Sequence, residues 1–446
     1  MLIDLYMYMS LIWNEVDVMK KRYKFIAIII PVIAILVIVM TFILKSKQQV
    51  GIKILNSNIS LSSDSGDYQS CWATDSHNFA RAENGYYFMA DNGKSLMYFD
   101  MDTKNVIPVC AKPDCRHDDY ECNSYLGNGE YLLFGVYYYR GYIYMLKNNM
   151  GNAELVQISS DGATRKEIAD VFPTDGGNSL DVVFNDNKAY IYDHCGNFLD
   201  ANSNKESEVS IQEVDLKSGI VKKAYSIIDT NVSFNHAKNY GNKLFFLMRK
   251  SREKIGTDEK SASRIMETKG LYAYDYYSGT VETVMEGNIC DYSIDEVNGT
   301  IYYFESGKGL YKCNINNDTN SILLYKAEKD CMQCTMSYDG EYIYLNNTDW
   351  AASSTGGKGM SCRIFDTDGV LINRIDNPWN GYGEIYFGDD KYMFSTFADY
   401  DESGKPTGTM FWYLPKEDVA MAKEWIRLTE KPIQLIDELE LRKRMK

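Results

Sequence analysis

Three cysteines and one histidine lie within 13 consecutive residues of this chain. Cys110, Cys115, His117 and Cys122 are separated by four residues, one residue and four residues. Three thiolates and one imidazole form the ligand set of a tetrahedral structural zinc site. The spacing differs from the common Cys-x-x-Cys arrangement, and disulfides or free thiols remain alternatives. Because three cysteines cannot all pair with one another, we favour a metal site that holds a structural zinc ion.

Common catalytic motifs are missing from the sequence. It has no G-x-S-x-G nucleophile elbow, no Walker loop and no H-E-x-x-H motif. Cys331 and Cys334 begin a predicted strand, where we expect them to pack or to form a local disulfide. His77 and His236 precede predicted turns and are interpreted as strand-end or loop residues. We therefore predict no catalytic residues, and a protein that is not an enzyme.

Repeats surround the cysteine cluster and must position it. After residue 70, a turn rich in Gly, Asn and Asp is followed seven times by a short aromatic strand, as in 84–88 and 339–344. Aligned on their last residue, these blocks place an aromatic side chain in every repeat: Phe88, Tyr144, Tyr192, Phe246, Tyr303, Tyr344 and Phe394. They recur at intervals of 41 to 57 residues, which is close to the length of a propeller blade.

A second pattern follows the aromatic strand in most repeats. It is a strand that ends in a polar turn, at Asp100, Ser159, Asp215, Asp275, Asn314 and Asp366. Alternating apolar residues before the first turn and after the second supply two further strands. Four antiparallel strands per repeat, with no helical periodicity between them, predict an all-β fold: a β-propeller of about seven four-stranded blades at 71–415. The cluster then falls in the connection between the first two blades.

The last repeat lacks an obvious outer strand. After Pro415 the sequence suits the start of a helix, so 416–446 is predicted to be a partly helical C-terminal appendage. An unpaired strand edge is unfavourable in a closed ring. Because 51–61 alternates apolar residues, we predict that this segment pairs with 410–414 and closes the last blade.

A membrane anchor is predicted at 25–44, which holds 20 consecutive uncharged residues, enough for one transmembrane helix. The four basic residues at 20–24 outnumber the three at 45–53, which favours a cytoplasmic N-terminus (1–24) and a domain on the outer side. Met19 precedes this basic group and is an alternative start. Residues 45–70 form a juxtamembrane segment in this division of the chain, and the expected location is the cell membrane.

Charge limits the partners. The net charge of the chain is −15, and a nucleic-acid partner requires a basic surface, so we expect none. The 36 tyrosines are expected to pack between blades rather than to stack on a ligand.

The repeated D-G-x-Y-I-Y and L-Y-x-x-D blocks resemble the propeller repeats of uncharacterised, membrane-tethered surface proteins of Gram-positive anaerobes, which are similar to TolB-like propellers. The segment Lys112-Pro113-Asp114-Cys115-x-His117 resembles a Cys-Lys-Pro-x-Cys-x-His element of those proteins. The resemblance covers about 70–415 and implies the fold and a surface location, but no activity. We expect a binding or scaffold module for a protein or an envelope glycan. A propeller-type hydrolase or lyase, with catalytic groups from several blades, is the alternative.

Overall fold

The structure is a computed structural model that describes residues 67, 70–72, 78–149, 151–173, 180–196, 206–254, 263–315, 321–328, 334–347, 361–376, 383–400 and 406–435. These residues form seven antiparallel sheets of four strands each. Every sheet consists of four strands that follow one another along the chain, so each repeat of the sequence is one blade. The predicted seven-bladed, all-β propeller is therefore confirmed.

The first strand of each blade is the innermost and the fourth is the outermost. Blades 1 to 4 contain β1 (Phe79–Arg81), β2 (Gly85–Ala90), β3 (Ser95–Asp100), β4 (Val106–Pro108); β5 (Tyr131–Tyr139), β6 (Tyr142–Asn149), β7 (Asn152–Ser159), β8 (Arg165–Pro173); β9 (Leu180–Asn185), β10 (Lys188–Asp193), β11 (Ser207–Asp215), β12 (Val221–Asp229); and β13 (Val232–Tyr240), β14 (Lys243–Lys254), β15 (Ser263–Asp275), β16 (Val281–Glu286). Blades 5 to 7 contain β17 (Ile289–Asp295), β18 (Thr300–Glu305), β19 (Gly309–Asn314), β20 (Ile322–Lys326); β21 (Cys334–Tyr338), β22 (Ile343–Asn347), β23 (Ser361–Phe365), β24 (Leu371–Asp376); and β25 (Gly383–Tyr386), β26 (Tyr392–Tyr400), β27 (Pro406–Pro415), β28 (Ile426–Arg427).

The two repeated sequence patterns coincide with the second and third strands. All seven aligned aromatic residues lie in second strands, and all seven are buried. Five of the six polar turn residues end a third strand, and Asp366 directly follows β23. At these turns Asp100 and Asp215 each accept two backbone N–H bonds, at 2.7–3.1 Å, which explains why an aspartate recurs there.

The hydrophobic core consists of seven clusters, one between each pair of neighbouring blades in the described residues. Side chains of a strand alternate between the two faces of its sheet. In β10, Ala189 and Ile191 pack against blade 2, whereas Tyr190 and Tyr192 pack against blade 4. Because both faces of a blade are covered, these strands need apolar residues at consecutive positions rather than at alternate ones.

Side chains alone close the ring in the described residues, because no strand of blade 7 pairs with a strand of blade 1. The seventh cluster joins the two blades, and within it the rings of Phe79 and Phe394 stack at 4.1 Å between centroids. Tyr86 donates to Asp389 at 2.6 Å, and Arg81 lies 3.1 Å from the other oxygen of that carboxylate.

The C-terminal segment is described as far as residue 435, and this part of it contains one short helical turn and one strand. A single 3₁₀ turn at Lys416–Asp418 is followed by β28, which pairs with Trp412 and Tyr413 of β27. The missing outer strand of blade 7 therefore comes from this segment, whereas the sequence assigned that edge to 51–61, which lies outside the described residues. Burial of Val419, Trp425 and Leu428 against the blade stabilises the strand in place of an exposed helix.

Within the described residues, no helix is long and apolar enough to cross a membrane. The predicted span at 25–44, and the N-terminal segment before it, lie outside those residues.

Candidate functional site

The four predicted metal ligands lie together in the connection between β4 and β5, as the sequence predicted. Their ligand atoms are all within 4.8 Å of one another. Two sulfurs bound to one tetrahedral zinc ion lie roughly 3.8 Å apart, since each Zn–S bond is about 2.3 Å long. The spacing of Cys110, Cys115, His117 and Cys122 is thus close to that of a zinc-binding set without rearrangement of the loop.

Local backbone conformation brings the histidine to the cysteines. His117 has a φ of 60°, a left-handed value that is uncommon for residues other than glycine. Its Nδ1 lies 3.3 Å from the Sγ of Cys122. Backbone bonds from Cys115 N to the oxygen of Lys112, and from Cys122 N to that of Asp119, tighten the loop on both sides, each at 3.3 Å.

Both neighbouring blades hold the loop that carries the cluster. On blade 1, Leu96 and Ser124 exchange two hydrogen bonds of 2.8 and 2.9 Å. On blade 2, Arg165 of β8 donates to the backbone oxygens of Asn123 and Tyr125 at 2.7 and 2.8 Å. A metal ion here would therefore fix a loop that is fastened to both blades.

The thiols of the cluster differ in acidity. Burial opposes ionisation of Cys110, but hydrogen bonds from the backbone N–H groups of Lys112 and Asn123 outweigh it and hold its pKa below the ordinary value. Burial, together with hydrogen bonding to Cys115 and the charge of Cys110, raises the pKa of Cys122 to about 12. A divalent cation would supply the positive charge that makes all three sulfurs thiolates. The donor set fits zinc.

A cavity of about 960 Å³ opens at the mouth of the central channel, among the turns that join first and second strands. Because strand direction alternates within each blade, these turns lie at the opposite end of the blades from the cluster, which follows the end of β4. The cavity wall carries seven carboxylates and three cations: Asp67, Glu83, Asp295, Glu296, Asp339, Asp389 and Asp390, with Arg81, Arg140 and Lys391. It also holds aromatic rings, and no histidine is found among the wall residues that the structure describes.

Most of these carboxylates already have structural partners. Asp295, Asp339 and Asp389 each accept backbone N–H bonds from the residues two and three positions later, at 2.7–3.1 Å. Glu83 accepts the hydroxyl of Tyr138 at 2.7 Å. These groups are already engaged within the fold. The charges exposed to a ligand are mainly those of the cavity rim, which is formed by Arg140, Glu296, Asp390 and Lys391.

Residues N-terminal to the first blade contact the same cavity. Asp67, Cys71 and Trp72 belong to its wall, and Ser70–Trp72 forms a 3₁₀ turn. Asp67 accepts the backbone N–H of Phe184 in β9 at 2.8 Å. Ser70 is buried and accepts the N–H of Asn239 in β13 at 3.1 Å.

Blades 4 to 6 share a buried charged cluster that the sequence analysis missed. Lys238 of β13 is fully buried and lies 2.9 Å from the carboxylate of Asp291 in β17. Its ammonium also donates to the backbone oxygens of Tyr292 in β17, at 2.5 Å, and Met336 in β21, at 3.4 Å. One side chain therefore connects the inner strands of three blades.

His236 belongs to this cluster and lies within β13, not at a strand end or in a loop as the sequence suggested. Its Nδ1 is 3.0 Å from Asp291, and Arg249 lies 3.2 Å from its Nε2. A register shift in β13 between Asn235 and Lys238 gives His236 a left-handed φ of 50°, as in a β-bulge. His77 and Cys331 lie outside the described residues, and Cys334 is buried in β21.

Comparison with known proteins gives structural similarities only. No protein family and no curated protein matches the sequence. An oligogalacturonate lyase in complex with manganese aligns over 82% of this chain and 96% of its own, with 12% identity and a TM-score of 0.48. A prolyl endopeptidase aligns over 80% and 49%, with 11% identity and a TM-score of 0.46. TolB from Acinetobacter baumannii aligns over 65% and 62%, with 14% identity and a TM-score of 0.34.

Proposed function

We propose that the chain is a membrane-anchored, extracytoplasmic binding module whose ligand, a protein or an envelope glycan, enters the cavity at the mouth of the central channel. The observation that carries this proposal is the cavity itself, with a volume of about 960 Å³ and a wall of mixed charge and aromatic rings. Concave sites that combine apolar surface with a few polar groups are typical of ligand binding.

The rim provides the groups for recognition. Glu296 and Asp390 are exposed acids on the turns of blades 5 and 7, and Arg140 and Lys391 are exposed cations on blades 2 and 7. The rings of Tyr138 and Tyr338 also belong to the cavity wall, next to the turns of blades 2 and 6. Such a rim suits a ligand with hydroxyl groups and charges of both signs.

A propeller-type hydrolase or lyase is the second candidate. It would need a general acid and base in the cavity, and the described residues of its wall include no histidine. Three of its aspartates are engaged as turn caps. Binding is therefore the function that this geometry supports better.

Rim charges provide the test. Full-length protein in detergent is mixed with isolated cell-envelope material and sedimented. The variant Glu296→Lys/Asp390→Lys should lose most of the binding. The control Glu167→Lys/Glu286→Lys makes the same charge change on the exposed outer strands β8 and β16 and should bind as the wild type does. Equal binding by both variants would contradict the proposal, and release of soluble sugar products that depends on the rim would favour the enzyme.

The location has its own test. Protease added to intact protoplasts should degrade the chain beyond residue 50, because we place that part outside the cell. Survival of the domain until the membrane is lysed would show that the orientation is reversed.

A further inference from the structure

The residues Asp67 and Ser70–Trp72, which precede the first blade, are here called the plug segment. We propose that the groups of Phe184, Asn239 and Lys416 beside the cavity form a binding site for a short peptide segment of the type Asp-x-x-Ser-x-Trp, and that the plug segment occupies this site in cis, as part of the cavity wall, until a partner's segment replaces it. This inference rests on the proposed function, in that the partner's segment reaches the site through the cavity.

Contacts of the plug segment are those of a bound ligand. The carboxylate of Asp67 accepts the N–H of Phe184 on the innermost strand of blade 3. The hydroxyl of Ser70 accepts the N–H of Asn239 on the innermost strand of blade 4. An innermost strand has no neighbour on its channel side, so its N–H groups on that side need acceptors. Tyr240 completes the set by donating its hydroxyl to the backbone oxygen of Cys71 at 3.4 Å. Peptide recognition at a free strand edge uses the same donors.

The indole of Trp72 meets a buried cation. The ammonium of Lys416 lies 4.5 Å from the Trp72 ring centroid and 4.4 Å from that of Tyr344. Lys416 is only 4% exposed, and its Nζ has no hydrogen-bond partner among the described residues. A buried ammonium without an acceptor is unfavourable, and contact with aromatic faces compensates part of that cost. An aromatic side chain is therefore favoured at this position of the bound segment.

Ligand chemistry follows from the three contacts taken together. The site accepts a carboxylate at blade 3, a hydroxyl at blade 4 and an aromatic ring over Lys416, spaced as in Asp67, Ser70 and Trp72. A glycan offers hydroxyls but no indole, so we assign the site to a protein segment. Because the plug segment is tethered, its effective concentration is in the millimolar range, and an outside segment must compete with it.

A peptide of residues 65–76, labelled with fluorescein and carrying Cys71→Ser, tests the proposal by fluorescence anisotropy with full-length protein in detergent. Asp67→Ala/Trp72→Ala in the protein weakens the plug segment and should increase peptide affinity at least tenfold. Asp67→Ala alone removes no core contact and should give a smaller increase. The control Tyr277→Ala/Asp102→Ala likewise removes one aromatic residue and one aspartate, but from exposed turns, and should bind the peptide as weakly as the wild type does.

Three results would overturn the proposal: equal peptide affinity in the wild type and both weakened variants, no saturable binding to any of them, or equal binding of a peptide that lacks the Asp and Trp side chains. Displacement of the peptide by envelope oligosaccharide would assign the cavity to glycans instead. If the peptide experiment fails while the rim variant Glu296→Lys/Asp390→Lys still loses envelope binding, the proposed function stands and only the plug fails. If the rim variant binds normally, the proposed function fails whatever the peptide does.

Discussion

The hydroxyl of Tyr86 donates a 2.6 Å hydrogen bond to Asp389, and this bond joins residues 303 positions apart in the sequence. Tyr86 belongs to the second strand of blade 1, and Asp389 caps the first turn of blade 7. Burial and the adjacent carboxylate both raise the pKa of Tyr86, so the hydroxyl stays protonated and donates at all ordinary pH values. Since no strand is exchanged between these blades in the described residues, this bond and the surrounding rings close the propeller.

Removing that hydroxyl should weaken the closure. Tyr86→Phe removes the side-chain hydrogen bond to a buried carboxylate oxygen of Asp389 that keeps two backbone donors. Because a hydrogen bond to a charged group is lost, we expect a loss of about 1–3 kcal/mol in the free energy of unfolding. Urea titration followed by circular dichroism measures it. Tyr142→Phe changes a tyrosine of β6 that is 44% exposed and should have no effect. An equal response of the two variants would mean that the Tyr86 bond does not hold the ring.

The cysteine cluster should bind one zinc ion per chain. Protein purified without chelators is expected to contain stoichiometric zinc by elemental analysis, and Cys115→Ser or His117→Ala should lose most of it, because each removes one of four ligands. Cys195→Ser, in a cysteine outside the cluster, should retain the metal.

Chelation should also lower the melting temperature of the wild type and of Cys195→Ser, since metal binding adds to the stability of the folded state. Metal-free wild-type protein with all three thiols titratable would contradict the zinc site. Loss of those thiols without reductant would instead indicate a disulfide.

Acid should remove the stability that the charged cluster of blades 4 to 6 contributes through Asp291. Burial alone would raise the pKa of Asp291, but the ammonium of Lys238 and the ring of His236 hold it below the ordinary value. The folded pKa is therefore lower than the unfolded value of about 3.9, so the carboxylate stabilises the fold above that pH and the contribution disappears as pH falls through the folded pKa.

We accordingly expect Asp291→Asn to cost about 3–5 kcal/mol at pH 7, because Lys238 is left buried without its counter-ion. The difference from the wild type should narrow below about pH 4. Asp376→Asn, on an exposed edge of blade 6, is the control. A constant difference from pH 7 to pH 3 would mean that ionisation of Asp291 is not what stabilises the cluster.

The stability of the fold at alkaline pH should depend on Lys416. Burial lowers its pKa to about 8, whereas an unfolded lysine has a value of about 10.4. Between these values the unfolded chain binds more protons, so stability rises with pH. Relative to Lys416→Met, the wild type should gain up to about 1.4 kcal/mol per pH unit between pH 8 and 9.5. Denaturant titrations in that range measure the gain, and Lys217→Met, at an exposed turn, should show none.

Truncation tests the C-terminal strand. Ending the chain at residue 423 removes β28, Trp425 and Leu428, exposes the edge of β27 at Trp412 and Tyr413, and should lower the melting temperature by several degrees. Ending it at residue 435 keeps every described contact and should leave the melting temperature unchanged. If the two truncations behave alike, β28 does not stabilise blade 7.

Sequence patterns predicted the propeller because each blade is a local unit. The aligned aromatics, from Phe88 to Phe394, are buried in seven equivalent strands, and a period of this kind is visible in one sequence. The four ligands of the candidate metal centre were found for the same reason, since they lie within 13 residues. Local spacing was sufficient in both cases.

Sites assembled from distant residues could not be found in this way. Lys238 and Asp291 are 53 positions apart, and Lys238 reaches Met336 across 98. Nothing in the local sequence of either residue indicates the pairing, and His236 looks like any histidine before a turn. The plug segment was equally hidden, because Asp67 and Trp72 contact side chains and backbone groups of blades 3 and 7 that only the closed ring brings together.

Four consecutive strands make each blade, and this arrangement affects how the protein is made and how its gene can change. All four strands of a blade are available for pairing once its repeat has been synthesised, so blades can form in the order of synthesis, each beside the one before. Duplication or deletion of one repeat leaves no strand without a neighbour in its own sheet. Only the contact between the first and last blades, where Tyr86 donates to Asp389, would have to form again in a ring of different size. The number of blades can therefore change during evolution of this architecture.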